Sequence, residues 1–299
     1  MQVTVAALGA VFTALSLKFQ SAFKAYQSKA GVLYTRLPSN TRTNTYGWMT
    51  QLPFMKEWIG ERQLESIGSQ AMSVTNKDYE LTVVVKKNDL ADDQMGIYGP
   101  MTEMVGQQAA AHPDRMVVAA LKAGETTTGY DGQYIFDTDH PVDMNDAGKG
   151  TQANLFTGMP LTAANYDTVR TAMRILKASN GEPLGVNPTH LIVPPQLEGK
   201  AKTIVAAEKD AAGATNTNFG TTTILVLDEL ADDATSWYLA DLSKPLKPFI
   251  WQDREAAKFD QITEATSENV FMRKEFIFGT DLRGAAAAAL FWLIGKAKA

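Results

Sequence analysis

Apolar and polar residues alternate most clearly between residues 79 and 85, where Tyr79, Leu81, Val83 and Val85 are interleaved with Glu80 and Thr82. A period of two marks a strand with one buried face. Val84 interrupts the polar side, and Asn76-Lys77-Asp78 just before the run is turn chemistry. With the run that follows Trp58-Ile59-Gly60-Glu61-Arg62, this predicts a two-stranded excursion over about residues 61–88. A lone hairpin is marginal in water, so the excursion is expected to pack on something else, and another subunit is one candidate.

From Asp89 to Gly124 the period lengthens to that of a helix. Met101, Met104, Val105 and Gln108 mark one face, which Met116, Ala119 and Ala120 continue. Pro100 suits a first turn and Gly124 the position just past a helix end. Pro113 conflicts with the pattern, because an interior proline removes a backbone hydrogen bond and costs about 3 kcal/mol. A kink or a break is therefore expected at His112 unless packing holds the rod together.

The second half alternates shorter helical and strand patterns. Thr162 caps an expected helix with the stripe Tyr166, Val169, Met173 and Leu176, stopped by Asn180-Gly181. His190 to Val193 reads as a buried strand closed by Pro194-Pro195, and Gln196 to Asp210 as a helix. Further strands are expected at Thr221 to Leu227, Ser236 to Ala240, Phe249 to Trp251 and Val270 to Phe278, before a buried element from Ala285 to Ile294. Leu33 to Pro53 shows no strong period and reads as an irregular, extended stretch. The mixture indicates an α/β or α+β protein.

Composition narrows the function classes. With 299 residues, 45% of them hydrophobic and 20% charged, the chain can bury two cores or one large irregular one. Zero cysteines exclude disulfides, thiolate zinc sites, iron–sulfur clusters and cysteine nucleophiles, and suit a reducing compartment. Met1 to Leu17 is uncharged but lacks the basic start and cleavage pattern of a secretory signal. Gly284 to Gly295 is uncharged but shorter than the about 20 residues a spanning helix needs. No membrane partner is expected.

Charge changes the picture more than composition does. The net value is −5, yet residues 1–56 sum to +6 and the remainder to −11. A basic segment on an acidic body suggests an arm lying on an acidic surface, either a neighbouring copy or its own body, with nucleic acid as the other candidate. The lack of regular aromatic interleaving favours protein.

Candidate chemistry is concentrated between Ala109 and Pro141. Two of the three histidines, His112 and His140, lie there, and Asp131, Asp137 and Asp139 crowd the second. Imidazole and carboxylate together suit several divalent metals. Neighbours in an extended chain alternate direction, however, and a turn at Pro141 explains the same residue types. A structural role is the expectation for this cluster, for His112 beside Pro113, and for His190. None of the Gly-x-Ser-x-Gly, His-Glu-x-x-His or Gly-x-x-x-x-Gly-Lys-[Ser/Thr] templates occurs. A non-enzymatic protein without metal or cofactor is the expectation, with a metal-dependent hydrolase as an alternative.

Several short motifs occur in a familiar order: Tyr46-Gly47-Trp48, Glu57-Trp58-Ile59-Gly60-Glu61-Arg62, Asn76-Lys77-Asp78-Tyr79-Glu80, Ala111-His112-Pro113-Asp114, Tyr130-Asp131-Gly132-Gln133 and Asp137-Thr138-Asp139-His140-Pro141. Together they resemble the major head subunit of the Mu-like phages. The resemblance implies an α+β, Hong Kong 97-type (HK97-like) capsid fold. Its implied parts are an N-terminal arm (1–55), an E-loop hairpin (56–90), a peripheral domain with a long spine helix (91–158), an axial domain (159–258), a peripheral return strand (259–283) and an axial terminal element (284–299).

It further implies self-assembly into pentamers and hexamers of an icosahedral shell around double-stranded DNA, contacted non-specifically. Scaffold, maturation protease and portal are the implied partners, with a decoration protein as an additional candidate. The implied location is the virion capsid, assembled in the host cytoplasm. A protein-cargo nanocompartment of the same fold is the other shell-forming alternative. Trp58, Tyr79, His112, Pro113, Tyr130, Asp131, Gly132, Asp137, Asp139, His140 and Pro141 become candidates for structural or assembly roles. His112-Pro113 is expected at a kink of the spine helix, and Tyr130 to Pro141 as a bridge whose acids and histidine are satisfied locally.

Overall fold

The computed structural model describes residues 5–49, 69–91, 96–209, 212–264 and 266–299. Helix α1 (Val5–Ala25) leads into strands β1 (Tyr34–Pro38), β2 (Thr43–Met49), β3 (Ser69–Thr75) and β4 (Lys77–Lys86), then helices α2 (Lys87–Ala91) and α3 (Tyr98–Lys122). Short strands β5 (His140–Pro141), β6 (Thr151–Gln152) and β7 (Leu155–Thr157) precede α4 (Ala163–Arg174), β8 (His190–Val193), α5 (Glu198–Ala201), β9 (Thr223–Val226) and β10 (Ser236–Ala240). The chain closes with β11 (Phe249–Ile262), α6 (Glu268–Arg273), β12 (Glu275–Ala288) and β13 (Ile294–Lys298).

Two sheets organise these elements: a four-stranded one in the order β1-β11-β12-β4 and a five-stranded one in the order β7-β13-β10-β8-β9. The chain crosses between them three times, from β4 to β7, from β10 into β11 and from β12 into β13, so neither sheet is built from one continuous segment. α4 covers the five-stranded sheet with Tyr166, Val169 and Met173, in one core with Leu191, Val193, Ile204 and Trp237. Thr162 caps this helix as its sequence position indicates, accepting from the Asn165 amide at 3.2 Å.

The first helix packs on the protein's own body. In α1, Phe12, Leu15, Phe19 and Ala22 are buried, a 3-4-3 spacing that puts them on one face. Phe12 meets the ring of Phe276 edge-on at 5.3 Å, and α1 crosses α3 so closely that a Cβ at Gly106 would lie 2.5 Å from the Phe19 carbonyl oxygen. Burial of each large side chain contributes about 1.5–3 kcal/mol. With no charged residue before Lys18 to mark a solvent face, only the packing distinguishes this helix from featureless apolar chain.

The strand pairing around residues 61–88 also differs from the sequence expectation. β3 pairs with β2, antiparallel from Thr43↔Thr75 to Met49↔Ser69, while β4 pairs with β12 along its whole length. The expected partner of the alternating run was thus drawn from the wrong side of the chain. Tyr79, Val83 and Val85 do lie on one face of β4, but it is a distant strand that completes the ladder. Leu33 to Pro53, expected to be irregular, supplies β1 and β2. Val270, expected at the start of a strand, is buried in α6 instead.

α3 runs unbroken for 25 residues with Pro113 inside it. Packing outweighs the proline, since Ala109, Ala110, Ala111, Pro113, Asp114, Val117, Val118 and Leu121 are all buried along the rod. The helix does not break at His112. Gly124 does follow the helix cap at Ala123, but not for its left-handed freedom: a Cβ there would lie 2.5 Å from the Phe136 ring.

Candidate functional site

Between α3 and β7 the chain builds a compact joint around His140, which is fully buried. Gly132 takes φ +84°, a turn conformation that suits glycine. It turns the chain so that the Gln133 amide reaches Asp131 Oδ1 at 3.3 Å and Gly129 donates to the Gln133 carbonyl at 2.7 Å. Asp131 Oδ2 then faces His140 Nδ1 at 2.5 Å, with the carboxylate side chain only 2% exposed. Pro141 continues into a two-residue ladder, opposite Thr151.

On the other side of the ring, His140 Nε2 lies 3.1 Å from Asn154 Oδ1. The Asn154 amide cannot be turned round, because Nδ2 donates toward the carbonyls of Ile135 (2.8 Å), Phe291 (3.1 Å) and Ile294 (3.1 Å). Its oxygen also accepts from the Asp137 amide at 2.9 Å. Nε2 therefore faces an acceptor and donates to it. Phe291 stacks flat on the imidazole, with centroids 3.7 Å apart and planes within 1°. One ring thus ties the 129–141 turns to the chain just before β13.

The other acids of the stretch point elsewhere. Asp137 accepts from the Thr138 amide (2.8 Å) and the Tyr134 amide (3.4 Å), and Asp139 is exposed. Asp137, Asp139 and His140 do not converge on an ion. Among the described residues no group of three or more histidines, cysteines, aspartates or glutamates is placed to hold one. Tyr130 is half-buried beside Phe291, and desolvation, with the Asp131 charge second, pushes its phenol well above the usual range. Asn154 organises the cluster, yet nothing in Ala153-Asn154-Leu155 singles it out from a surface asparagine.

A second group of candidates meets on the side of α3 near its middle. Tyr79 of β4 packs against His112 with centroids 4.2 Å apart, and Trp251 of β11 approaches the same imidazole edge-on at 6.2 Å. Burial, and then the nearby Arg115 charge, lower the His112 pKa from its ordinary value of 6.5. The next residue but one, Asp114, anchors the chain that follows α1: its buried carboxylate accepts from Tyr26 (3.0 Å), Ser28 (2.7 Å) and Tyr34 (2.8 Å). Burial, with Asp114 adding to it, pushes the Tyr26 hydroxyl up to about 12. Trp58 lies outside the described residues.

The basic N-terminal segment rests on the protein's own acids. Lys18 pairs with Glu103 (2.7 Å), Lys29 with Asp228 (3.3 Å) and Arg36 with Asp253 (3.1 Å). These pairs are solvent-exposed to a third or more and contribute little each. Stronger coupling lies at the end of α3, where Glu125 meets the buried Lys296 (2.7 Å) and Lys298 of β13. Burial alone would raise the Glu125 carboxyl, and the two lysines outweigh it and hold it below its usual value.

His190 is half-buried at the start of β8, as expected of a core or rim residue. Its Nδ1 lies 2.9 Å from the Thr189 hydroxyl, but that hydroxyl also accepts from the Leu242 amide (3.0 Å) and reaches the Ala240 carbonyl. The pair is engaged with the main chain and offers no nucleophile. A cleft of about 580 Å³ opens beside the joint, lined chiefly by Tyr130, Met144, Leu184, Leu246, Phe291 and Trp292, with Lys177 and Lys244 at its wall. These contacts join the layers of one subunit to each other.

The model of the family described as Mu-like prophage major head subunit gpT matches residues 8–160, 156–230 and 228–299. The chain is 33% identical over 288 residues to the Mu-like prophage FluMu major head subunit of Haemophilus influenzae, covering 95% of this chain and 71% of that protein. To the major capsid protein of Escherichia phage Mu it is 28% identical over 297 residues, covering 99% and 75%. Among solved structures, it is similar to a chain of the procapsid of bacteriophage JBD30, with a TM-score of 0.65, 30% identity and coverage of 99% and 76%. The mixture of two sheets and long helices is the HK97-like capsid fold, and the chain belongs to the Mu-like major head subunit family, whose members are structural capsid proteins that assemble in many copies into the phage head.

Proposed function

We propose that the subunit interlocks with its neighbours through the parts that its own sheets leave unpaired. Residues 1–55 act as the arm, 56–90 as the E-loop, and 91–158 as the peripheral domain with α3 as spine. Residues 159–258 form the axial domain, 259–283 return to the peripheral domain, and 284–299 finish in the axial domain. The E-loop reaches over an adjacent copy, and axial domains gather around five- and six-fold axes to close an icosahedral shell. The observation that carries this reading is the β2–β3 ribbon, whose strands, among the described residues, pair with each other and with no strand of either large sheet.

The eleven candidate residues serve this assembly by holding shape rather than by chemistry: Tyr79, His112 and Pro113 seat the E-loop root on the spine, Tyr130 to Pro141 set the joint, and Trp58 belongs to the reaching segment. Scaffold, protease, portal and a decoration protein act on the shell from outside the chain, in the host cytoplasm. Packaged double-stranded DNA is contacted non-specifically, since a body of net charge −11 beyond residue 56 repels phosphate. Electron microscopy of the purified protein with its assembly partners tests the reading. Shells are expected from the full chain, and capsomers or aggregates without shells when residues 50–68 are replaced by a short turn. Normal shells from the shortened chain would overturn it.

A further inference from the structure

The contact among Tyr79, His112 and Trp251 differs from every other buried polar group in the stretch. His112 Nε2 is buried and bonds to nothing among the described residues, and the same holds for Trp251 Nε1. The imidazole sits between two aromatic rings, Tyr79 of β4 and the edge-on Trp251 of β11, at the point where Tyr79 ties β4 to α3. We propose that His112 is a proton-sensitive latch: uncharged, it seats β4 on the spine helix, and a proton on it drives that root away.

The surroundings leave a positive charge there without compensation. α3 itself contributes Arg115, also cationic, one helical turn from His112. β4 presents the Tyr79 ring, whose hydroxyl is held above its usual value by burial, and the neighbouring Asp78 is taken up by Arg283 of β12 at 2.9 Å. β11 presents only the indole of Trp251. Asp114, the nearest acid in sequence, is occupied by Tyr26, Ser28 and Tyr34. Seated, the imidazole therefore resists a proton; released into water, it takes one at its ordinary value of 6.5. Release binds a proton, so the seated state is stable above pH 6.5 and is progressively lost as the pH falls below it.

What release does to a shell rests on reading residues 56–90 as the E-loop, whereas the latch can be tested on the unassembled full chain. Amide exchange followed by mass spectrometry at about pH 7.5 and about pH 5.5, corrected for the intrinsic rate, should show several-fold faster opening of residues 77–86 at the lower value. His112→Phe keeps a ring in place and cannot titrate, so it should abolish this acid response. The β8 region, where burial and Lys247 lower His190, should keep its own.

Exchange of 77–86 that does not respond to acid, or a His112→Phe chain that responds like the native one, would overturn the latch while leaving shell assembly untouched. Should that variant not fold, the native chain still decides. It has three histidines, and ¹³C-histidine NMR should place the His112 midpoint below 6.5, where the acid response of exchange, begun near 6.5, levels off. A midpoint at or above that value would overturn it too.

Discussion

His112 and His140 are 28 residues apart, both touch aromatic rings, and both looked like candidates for chemistry, yet they do opposite things. Every polar atom of the His140 ring has a partner, and the partner asparagine is itself held by three carbonyls. His112 is held by ring contacts and leaves one nitrogen without a bond. Directional bonds specify one arrangement, and breaking one leaves several groups desolvated and unpaired. Ring contacts tolerate sliding and re-seating. The joint is thus the place where the subunit keeps its shape, and the seat of β4 on α3 is the place where it can change.

Substitutions should separate the two behaviours. Asn154→Leu should have the largest effect, because it strands the Asp137 amide, three carbonyls and His140 Nε2 in the interior; a loss of about 3–5 kcal/mol is expected in urea unfolding. Asp131→Asn removes one charged bond and keeps the shape, for about 1.5–3 kcal/mol by the same measurement. Tyr79→Ala should cost about 1–2 kcal/mol globally, and the exchange experiment should find the change concentrated in β4. His112→Phe should be smallest, within about 1 kcal/mol of the native chain at neutral pH, with its effect confined to acid. If His112→Phe proved as damaging as Asn154→Leu, the distinction between a fixed joint and a re-seating contact would fail.

Local signals in the sequence were legible where one residue decides one feature. Thr162 caps α4, Ser236 to Ala240 is β10, and Gly132 with its neighbours makes the turn. What was not legible depends on who meets whom. The alternation in β4 announces a strand but not that β12, nearly two hundred residues later, is its partner. Pro113 argues locally for a break, and only the buried faces around it keep α3 whole. The motifs about His140 name all three acids without ranking them: Asp131 is the partner, while Asp137 and Asp139, closer in sequence, turn away. Asn154 carries no signal, because its importance lies in three carbonyls brought from Ile135, Phe291 and Ile294.

β11 gives the subunit a mechanical property. It is one strand of 14 residues, which at about 3.3 Å per residue spans roughly 45 Å. Its first four residues are locked in the core, and its last ones lead to α6, where Phe271 and Met272 stand out in solvent. The register shifts between Asp253 and Lys258 sit between these ends like a fulcrum. Such irregularities bend and twist a strand, so the two halves are not one rigid beam, and Trp251, one of the two rings against His112, sits in the locked half. The ring that touches His112 therefore lies on the half of β11 that the core holds, and the half toward α6 is the one left to bend.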